Sequence, residues 1–161
     1  MKGDPRVIEL LNEALRNELT AVNQYWLHYR LLDNWGVARL AEFERHESID
    51  EMKHADALAE RILFLDGLPN FQALGRLRIG EGVEEILRAD LELELEAVDQ
   101  LQRAIANCES FQDFTSRDLL ARILANEEEH VDHLEQQFEM IARMGLPNYI
   151  QLQSKSAESS E

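Results

Sequence analysis

The sequence is short of cysteine, proline, basic residues and long apolar runs, and each shortage narrows what the chain can be. A single cysteine, Cys108, in 161 residues excludes an internal disulfide framework and fits a reducing compartment. Only three prolines interrupt the chain, and with 45% hydrophobic residues it fits one compact domain, expected over residues 1–153, with a substantial core. Sixteen Lys and Arg stand against 32 Asp and Glu, so no basic patch is dense enough for a phosphate backbone and nucleic acid is excluded as a partner. The acid excess suits cations and equally serves solubility. No run reaches the ~18 apolar residues of a membrane span, so no membrane partner is expected. The N-terminus lacks the apolar stretch of a secretory signal, and cytoplasm is the expected location.

What the chain does have is a repeat. Glu51 and His54 lie three residues apart in a segment that reads as helix, so both project from one face. The pair recurs 76 residues later as Glu127 and His130, and each pair has a lone glutamate 33 positions upstream, Glu18 and Glu94. Around these, Glu18-Leu19-Thr20-Ala21-Val22-Asn23-Gln24 aligns with Glu94-Leu95-Glu96-Ala97-Val98-Asp99-Gln100, identical at five of seven positions. The repeat implies a pseudo-twofold pair of helical hairpins, each donating three metal ligands.

Periodicity supplies the helices. Asp4-Pro5 starts the first, whose seam runs Leu11, Leu15, Glu18, Val22, Tyr25, Tyr29, Leu32 to about Asn34, and Gly36 turns into the second. There Leu40, Glu44, Glu47, Glu51, His54, Leu58, Ile62 and Leu65 share a stripe whose middle is polar on the side that ought to be core. Asp66-Gly67-Leu68-Pro69 stops that helix with a left-handed cap, and the aperiodic link from Gly67 to Glu81 is long enough to traverse the bundle and set the next helix parallel to the last. A third helix, about Gly82 to Ser110, repeats the pattern of the first. After a break at Phe111 to Thr115, the fourth repeats the pattern of the second and ends at Gly145-Leu146-Pro147-Asn148. Tyr149 to Gln153 form a short fifth helix, and the polar tail at 154–161 is expected to be disordered. Glu18 and Glu51 are nearly equidistant from the first turn, as are Glu94 and Glu127 from the later one, so all six side chains can meet at mid-bundle.

An ionised carboxylate in a core seam costs several kcal/mol unless it is paired or metal-bound. Four carboxylates with two neutral imidazoles carry −4, which two divalent cations or an oxo-bridged diferric core would cancel. This donor set suits iron or manganese rather than calcium or a thiolate-seeking metal. It matches the known ligand pattern of di-iron and di-manganese carboxylate bundles, and the metal count comes from that match, not from the residues alone. Any one Glu-x-x-His is more often an ordinary helical pair. Two in register with two seam glutamates are not, because charged residues are seldom buried alone. Glu51 and Glu127 are expected to bridge, with Glu18 and His54, and Glu94 and His130, as terminal ligands.

From Met1 to about Gln153 the sequence resembles the bacterioferritins, the haem-containing branch of the ferritin-like superfamily. The likeness is close at Met1-Lys2-Gly3-Asp4, at His46-Glu47-Ser48-Ile49-Asp50-Glu51-Met52-Lys53-His54-Ala55-Asp56 and at Arg61-Ile62-Leu63-Phe64-Leu65. It implies an all-α, ferritin-like four-helix bundle of two antiparallel hairpins with a long crossover, plus the short fifth helix. It further implies a ferroxidase with two Fe ions per subunit that oxidises Fe²⁺ with O₂ or H₂O₂ and deposits mineral inside a homo-oligomeric shell of two dozen subunits built from twofold dimers. Haem b shared between two subunits, and a small ferredoxin as electron donor for iron release, belong to the same expectation. Met52 matches the axial haem ligand. It follows Glu51 and so points outward, where Leu19, Asn23 and Trp26 form a stripe suited to a subunit interface. His46 and Asp50 match positions that bind iron on the inner surface in some bacterioferritins, and a solvated pair explains them equally. Glu44 and Glu47 are read as groups that support the ligands or pass iron to them, and Tyr25 as a redox or supporting residue that core packing also explains. Some relatives have tyrosine and tryptophan where this chain has Leu58 and His133, so the resemblance does not fix the electron path from the site. The competing functions are a non-storage di-iron or di-manganese peroxidase, catalase or oxygenase, and a metal-free interaction bundle, which would place apolar residues at positions 18, 51, 94 and 127.

Overall fold

The structure is a computed structural model that describes residues 1–155; most of the tail expected to be disordered, residues 156–161, lies outside the described residues. Helix α1 (Pro5–Asn34) begins where the Asp4 carboxylate accepts the Arg6 N–H at 2.8 Å, with Pro5 in the first turn. It ends with Gly36 at φ +81°, while the N–H groups of Gly36 and Val37 donate to the carbonyls of Asp33 and Leu32. Helices α2 (Ala38–Phe64) and α3 (Val83–Ser110) stop through the same bond pattern, with Asp66 and Gln112 in the left-handed position. Asp113 then serves two helices. Its N–H donates to the Cys108 carbonyl at the end of α3, and its carboxylate accepts the Ser116 N–H at 2.9 Å, capping α4 (Phe114–Met144). The break is therefore shorter than the expected stretch through Thr115. Arg61 of α2 donates to Asp113 at 3.0 Å and to Ser116 at 2.9 Å, tying the second turn to the first hairpin.

Helix α5 (Leu146–Gln153) begins three residues earlier than expected, because Pro147 falls in the first turn, where a missing N–H costs nothing. The same four residues after α2 lead into the irregular link. The two copies part at the next residue, since Tyr149 is fully buried and its hydroxyl donates to Gln137 at 2.8 Å, whereas Phe71 is exposed.

Helices α1 and α2 form one hairpin and α3 and α4 the other, with α1 also packed on α3. The link between hairpins runs back along α1, held by side chains of that helix that lie off its apolar seam. Asn12 accepts the N–H of Asn70 at 2.8 Å, Thr20 that of Gly75 at 2.8 Å, Gln24 that of Arg78 at 3.0 Å and His28 that of Gly80 at 3.1 Å. These acceptors sit at multiples of four residues, so they line one edge of α1 and lead the chain from one end of the bundle to the other. Helix α3 therefore starts beside the end of α1 and runs parallel to α2, as the length of the link implies. Among the described residues no helix is long and apolar enough to cross a membrane.

Apolar packing fills the two ends of the bundle. Val7, Leu11, Leu15, Leu58, Leu101 and Ile123 belong to one cluster, and Leu32, Leu40, Leu87, Leu134 and Tyr149 to the other. Between them lies a layer of buried charge. Among the glycines, Gly80 at the end of the crossover is the most tightly enclosed, since a Cβ there would lie 2.4 Å from the Ile86 nitrogen, whereas one on Gly82 would meet nothing within 4 Å. Gly80→Ala should thus lower stability by about 1–3 kcal/mol, and Gly82→Ala should stay within about 0.5 kcal/mol of the parent. Thermal unfolding of both variants at equal subunit concentration checks this, and equal midpoints would show that the close approach is not needed.

Candidate metal centre

Six side chains converge at the middle of the bundle: Glu18 from α1, Glu51 and His54 from α2, Glu94 from α3, and Glu127 and His130 from α4. Each occupies a seam position that an apolar residue fills elsewhere on the same helix, and the four glutamates are 1–2% exposed. His54 Nδ1 stands 3.0 Å from Glu127, 3.4 Å from Glu18 and 3.6 Å from Glu51. His130 Nδ1 stands 3.0 Å from Glu51, 3.3 Å from Glu127 and 3.5 Å from Glu94. Glu51 and Glu127 therefore each present one oxygen to either imidazole, whereas Glu18 meets only His54 and Glu94 only His130. The donors divide into two overlapping sets of four that share Glu51 and Glu127.

Most of these separations are within hydrogen-bond reach, yet the bonding geometry is missing. Both Nδ1 atoms, both oxygens of Glu127 and one oxygen each of Glu18, Glu51 and Glu94 are buried without a hydrogen-bond partner. Atoms aimed at common points rather than at one another produce this pattern, and such points are where cations fit. A buried polar atom left unpaired costs about 1–3 kcal/mol, so seven of them in one layer make a poor structural core and a good ligand cage.

The electrostatics follow from burial and crowding. Burial, with the charges of Glu51 and Glu127, pushes the Glu18 carboxyl well above its usual range, and burial with Glu127 and Glu51 does the same to Glu94. Burial alone would depress the His54 imidazole, but contact with Glu127, Glu18 and Glu51 outweighs it and pushes the pKa up to about 12. The same contest, won by Glu127, Glu47, Glu51 and Glu94, raises His130. Glu127 is pulled below the usual carboxylate range despite its burial, because Glu94, His130 and His54 all stabilise its anion. Protons on Glu18, Glu94, His54 and His130 then balance the four carboxylates in place of two divalent cations.

The structure also locates the other expected residues. Tyr25 is fully buried and its hydroxyl donates to Glu94. Glu47 meets the far nitrogen of His130 at 2.7 Å, and Asp50 joins that pair. His46 is not with Asp50: its side chain is 66% exposed and faces Glu42 at 3.2 Å. Met52 points outward and is exposed, as are Asn23 and Trp26. Leu19 is not part of that outward stripe. It is buried in the cluster that contains Leu15 and Ala55, because the seam of α1 is wide enough at this level to take in the residue beside Glu18. Leu58 is core, and His133 stacks on Phe43 with ring centres 4.0 Å apart. Sequence reasoning missed His28 and Asp90, a fully buried pair 2.8 Å apart. The signal was available: Asp90 precedes Glu94 by one turn and His28 follows Tyr25 by one turn.

Comparison with known proteins gives the same answer over nearly the whole chain. Residues 8–144 match the ferritin-like domain family. A bacterioferritin of Brucella melitensis is 50% identical over 161 residues, covering 100% of both chains. One of Mycolicibacterium paratuberculosis is 52% identical over 149 residues, 92% of this chain and 94% of its own. One of Streptomyces coelicolor is 51% identical over 150 residues, 93% of this chain and 90% of its own. The chain belongs to the bacterioferritin branch of the ferritin-like family.

Proposed function

We propose that this protein stores iron and oxidises it first: a ferroxidase that converts Fe²⁺ to Fe³⁺ with O₂ or H₂O₂ at the six-residue centre. The observation that carries this is the sharing of Glu51 and Glu127 between the two imidazoles, with Glu18 and Glu94 each on one side. That arrangement fits two iron ions: His54 and Glu18 would hold one, His130 and Glu94 the other, and Glu51 and Glu127 would serve both. Iron so held would supply the two electrons that reduce the oxidant. The chain's part is to keep the donors in place and deprotonated on loading, to hold His130 through Glu47, and to exclude bulk water with the apolar clusters on either side. A hollow shell of two dozen subunits is part of the reading, as is a small ferredoxin donor for iron release. Trp26, Met52, Phe64, Phe71 and Leu74 are exposed apolar side chains that contact between copies would bury. Met52 from each of two subunits would hold haem b there.

Rapid iron oxidation should disappear in Glu127→Ala, which removes a donor from both sets, and metal analysis should find two iron ions per subunit in the parent. Unchanged fast oxidation in that variant would refute the assignment. Loading the metal-free protein with Zn²⁺ near pH 7 should release about four protons per subunit, because the ligands must shed the protons that balance the empty cage. A release near zero would mean that the carboxylates are already ionised and the imidazoles already neutral.

The raised carboxyls also set a sign for stability. Glu18 and Glu94 keep protons in the folded chain that the unfolded chain releases near 4.5, so the metal-free protein should lose stability as pH rises from there toward neutrality. Glu18→Gln with Glu94→Gln should flatten that fall and abolish stabilisation by metal. Calorimetry between pH 5 and 7 reads both, and a steeper fall in the double variant would contradict the shifts.

Haem binding has a separate test. Met52→Leu should leave the folded shell intact and remove the bound-haem spectrum; a spectrum retained after purification in excess haem would place the ligand elsewhere.

A further inference from the structure

A second polar layer lies one helical turn beyond the centre. His28 follows Tyr25 on α1, Glu44 precedes Glu47 on α2, and Asp90 precedes Glu94 on α3, each by one turn, and all three are fully buried. His28 Nε2 accepts the Gly80 N–H at 3.1 Å, which requires a lone pair there, so the ring proton is on Nδ1 and is donated to Asp90 Oδ1 at 2.8 Å. Gln24 donates to the same oxygen at 3.0 Å. The three side chains are close enough to surround a cation, but both ring nitrogens of His28 are engaged, so it could bind one only by releasing the crossover. What remains is Asp90 Oδ2 and both oxygens of Glu44, buried and without a hydrogen-bond partner.

We propose that Glu44 and Asp90 share one proton, borne on Glu44 and donated to Asp90 Oδ2, and that Glu44 supplies this proton to the metal centre during iron oxidation. The second half rests on the ferroxidase reading. Two donors on Oδ1 make Asp90 the anion of the pair, and a protonated Glu44 gives Oδ2 its missing partner. His28 of α1 and Asp90 of α3 lie beside Glu44, and the other titratable groups whose charge is felt there or that feel its charge are Tyr25 of α1, Glu47 of α2, Glu94 of α3 and Tyr149 of α5. None of these is a cation in the tautomer described. Burial, and next the charge of Asp90, hold the Glu44 carboxyl well above its ordinary value.

Oxidation consumes protons whichever oxidant is used. Two Fe²⁺ with O₂ and two H⁺ give two Fe³⁺ and H₂O₂; two Fe²⁺ with H₂O₂ and two H⁺ give two Fe³⁺ and two waters. The acids of the centre itself are spent by then, because Glu18, Glu94, His54 and His130 give up their protons on becoming ligands. Glu47 is committed to His130, and Tyr25 is held far above its usual range by burial and by Glu94, so it is a poor acid alone. Glu44 is the buried acid left beside the centre. Tyr25, one turn before His28 on α1, donates to Glu94 of the centre and feels the charges of Asp90 and Glu44, so it links the two layers. Hydrolysis of Fe³⁺ to oxyhydroxide later returns protons to the interior. Glu44 touches neither iron nor oxidant, and its role is that of a positioning residue for the proton.

The test uses the assembled protein loaded with Zn²⁺, in which every carboxyl of the centre is a ligand. Infrared spectroscopy of that form should retain a carboxylic-acid C=O band that is lost in Glu44→Gln and kept in Glu44→Asp. Stopped-flow iron oxidation should slow at least about tenfold in Glu44→Gln, with loss of its pH dependence, while Glu44→Asp recovers most of both. Absence of the band in the unsubstituted protein overturns the pair. So does a third Zn²⁺ per subunit that Glu44→Gln removes, because the pair would then be a cation site. An unchanged rate and pH profile in Glu44→Gln, with the band lost, overturns the donor role and leaves a structural pair. If the unsubstituted protein does not oxidise Fe²⁺ rapidly, the ferroxidase reading and the donor role fall together, and the band still decides the pair.

Discussion

Everything in this subunit is arranged around the need to neutralise four carboxylates buried at one level of a helical bundle. In water such charges cost little; between apolar layers each costs several kcal/mol unless compensated. Two compensations are open to this chain, and they are equivalent in charge. Four protons, on Glu18, Glu94, His54 and His130, balance the cage, and so do two divalent cations. On the proposed reading, exchange of one set for the other would favour doubly charged ions that accept carboxylate and imidazole together. It would also couple metal binding to pH, since each step toward the loaded state would release protons.

The same constraint explains the distribution of apolar residues. A bundle with a polar middle must draw its cohesion from its two ends, and the larger clusters of the core lie there, one near Leu11, Leu58 and Ile123 and the other near Leu32, Leu87 and Leu134. Helix ends are fastened individually. Asp4 caps α1, Asp113 joins α3 to α4, and Arg61 links that joint to α2. With the ends held, the donors in the middle cannot relax toward one another, which is why they remain unpaired.

The crossover decides which helices face each other across the centre. Its backbone donates to Asn12, Thr20, Gln24 and His28 along α1, so the strap and the second polar layer share His28 and Gln24. The loop that sets the topology thus also holds Asp90 in place. One edge of α1 guides the chain while its seam supplies Glu18 and Tyr25. Both tasks fit on one helix because residues four apart share an edge and the seam lies to one side of it.

Much of this was legible in the residues. The four-three stepping of Leu11, Leu15, Glu18 and Tyr25, the Glu-x-x-His pairs and the equal intervals to Glu18 and Glu94 are properties of a helix read along its axis, where rise and rotation per residue are fixed. They determined four long helices, a parallel second hairpin and six donors at one level. What they left open depends on contacts between elements. Whether Leu19 faces out or in turns on how widely α1 is covered beside Glu18. Whether Gly-Leu-Pro-Asn starts a helix or a strap turns on what the residues after it can bury, as Tyr149 does. The pairing of His28 with Asp90, the turning of His46 away from Asp50 and the facing of Glu44 by Asp90 each require two helices, or two turns of one, at a particular rotation. Spacing along one chain determines which side chains share a face; only the packed structure decides what that face meets, because crossing and rotation are chosen by the sum of all contacts and by no residue alone.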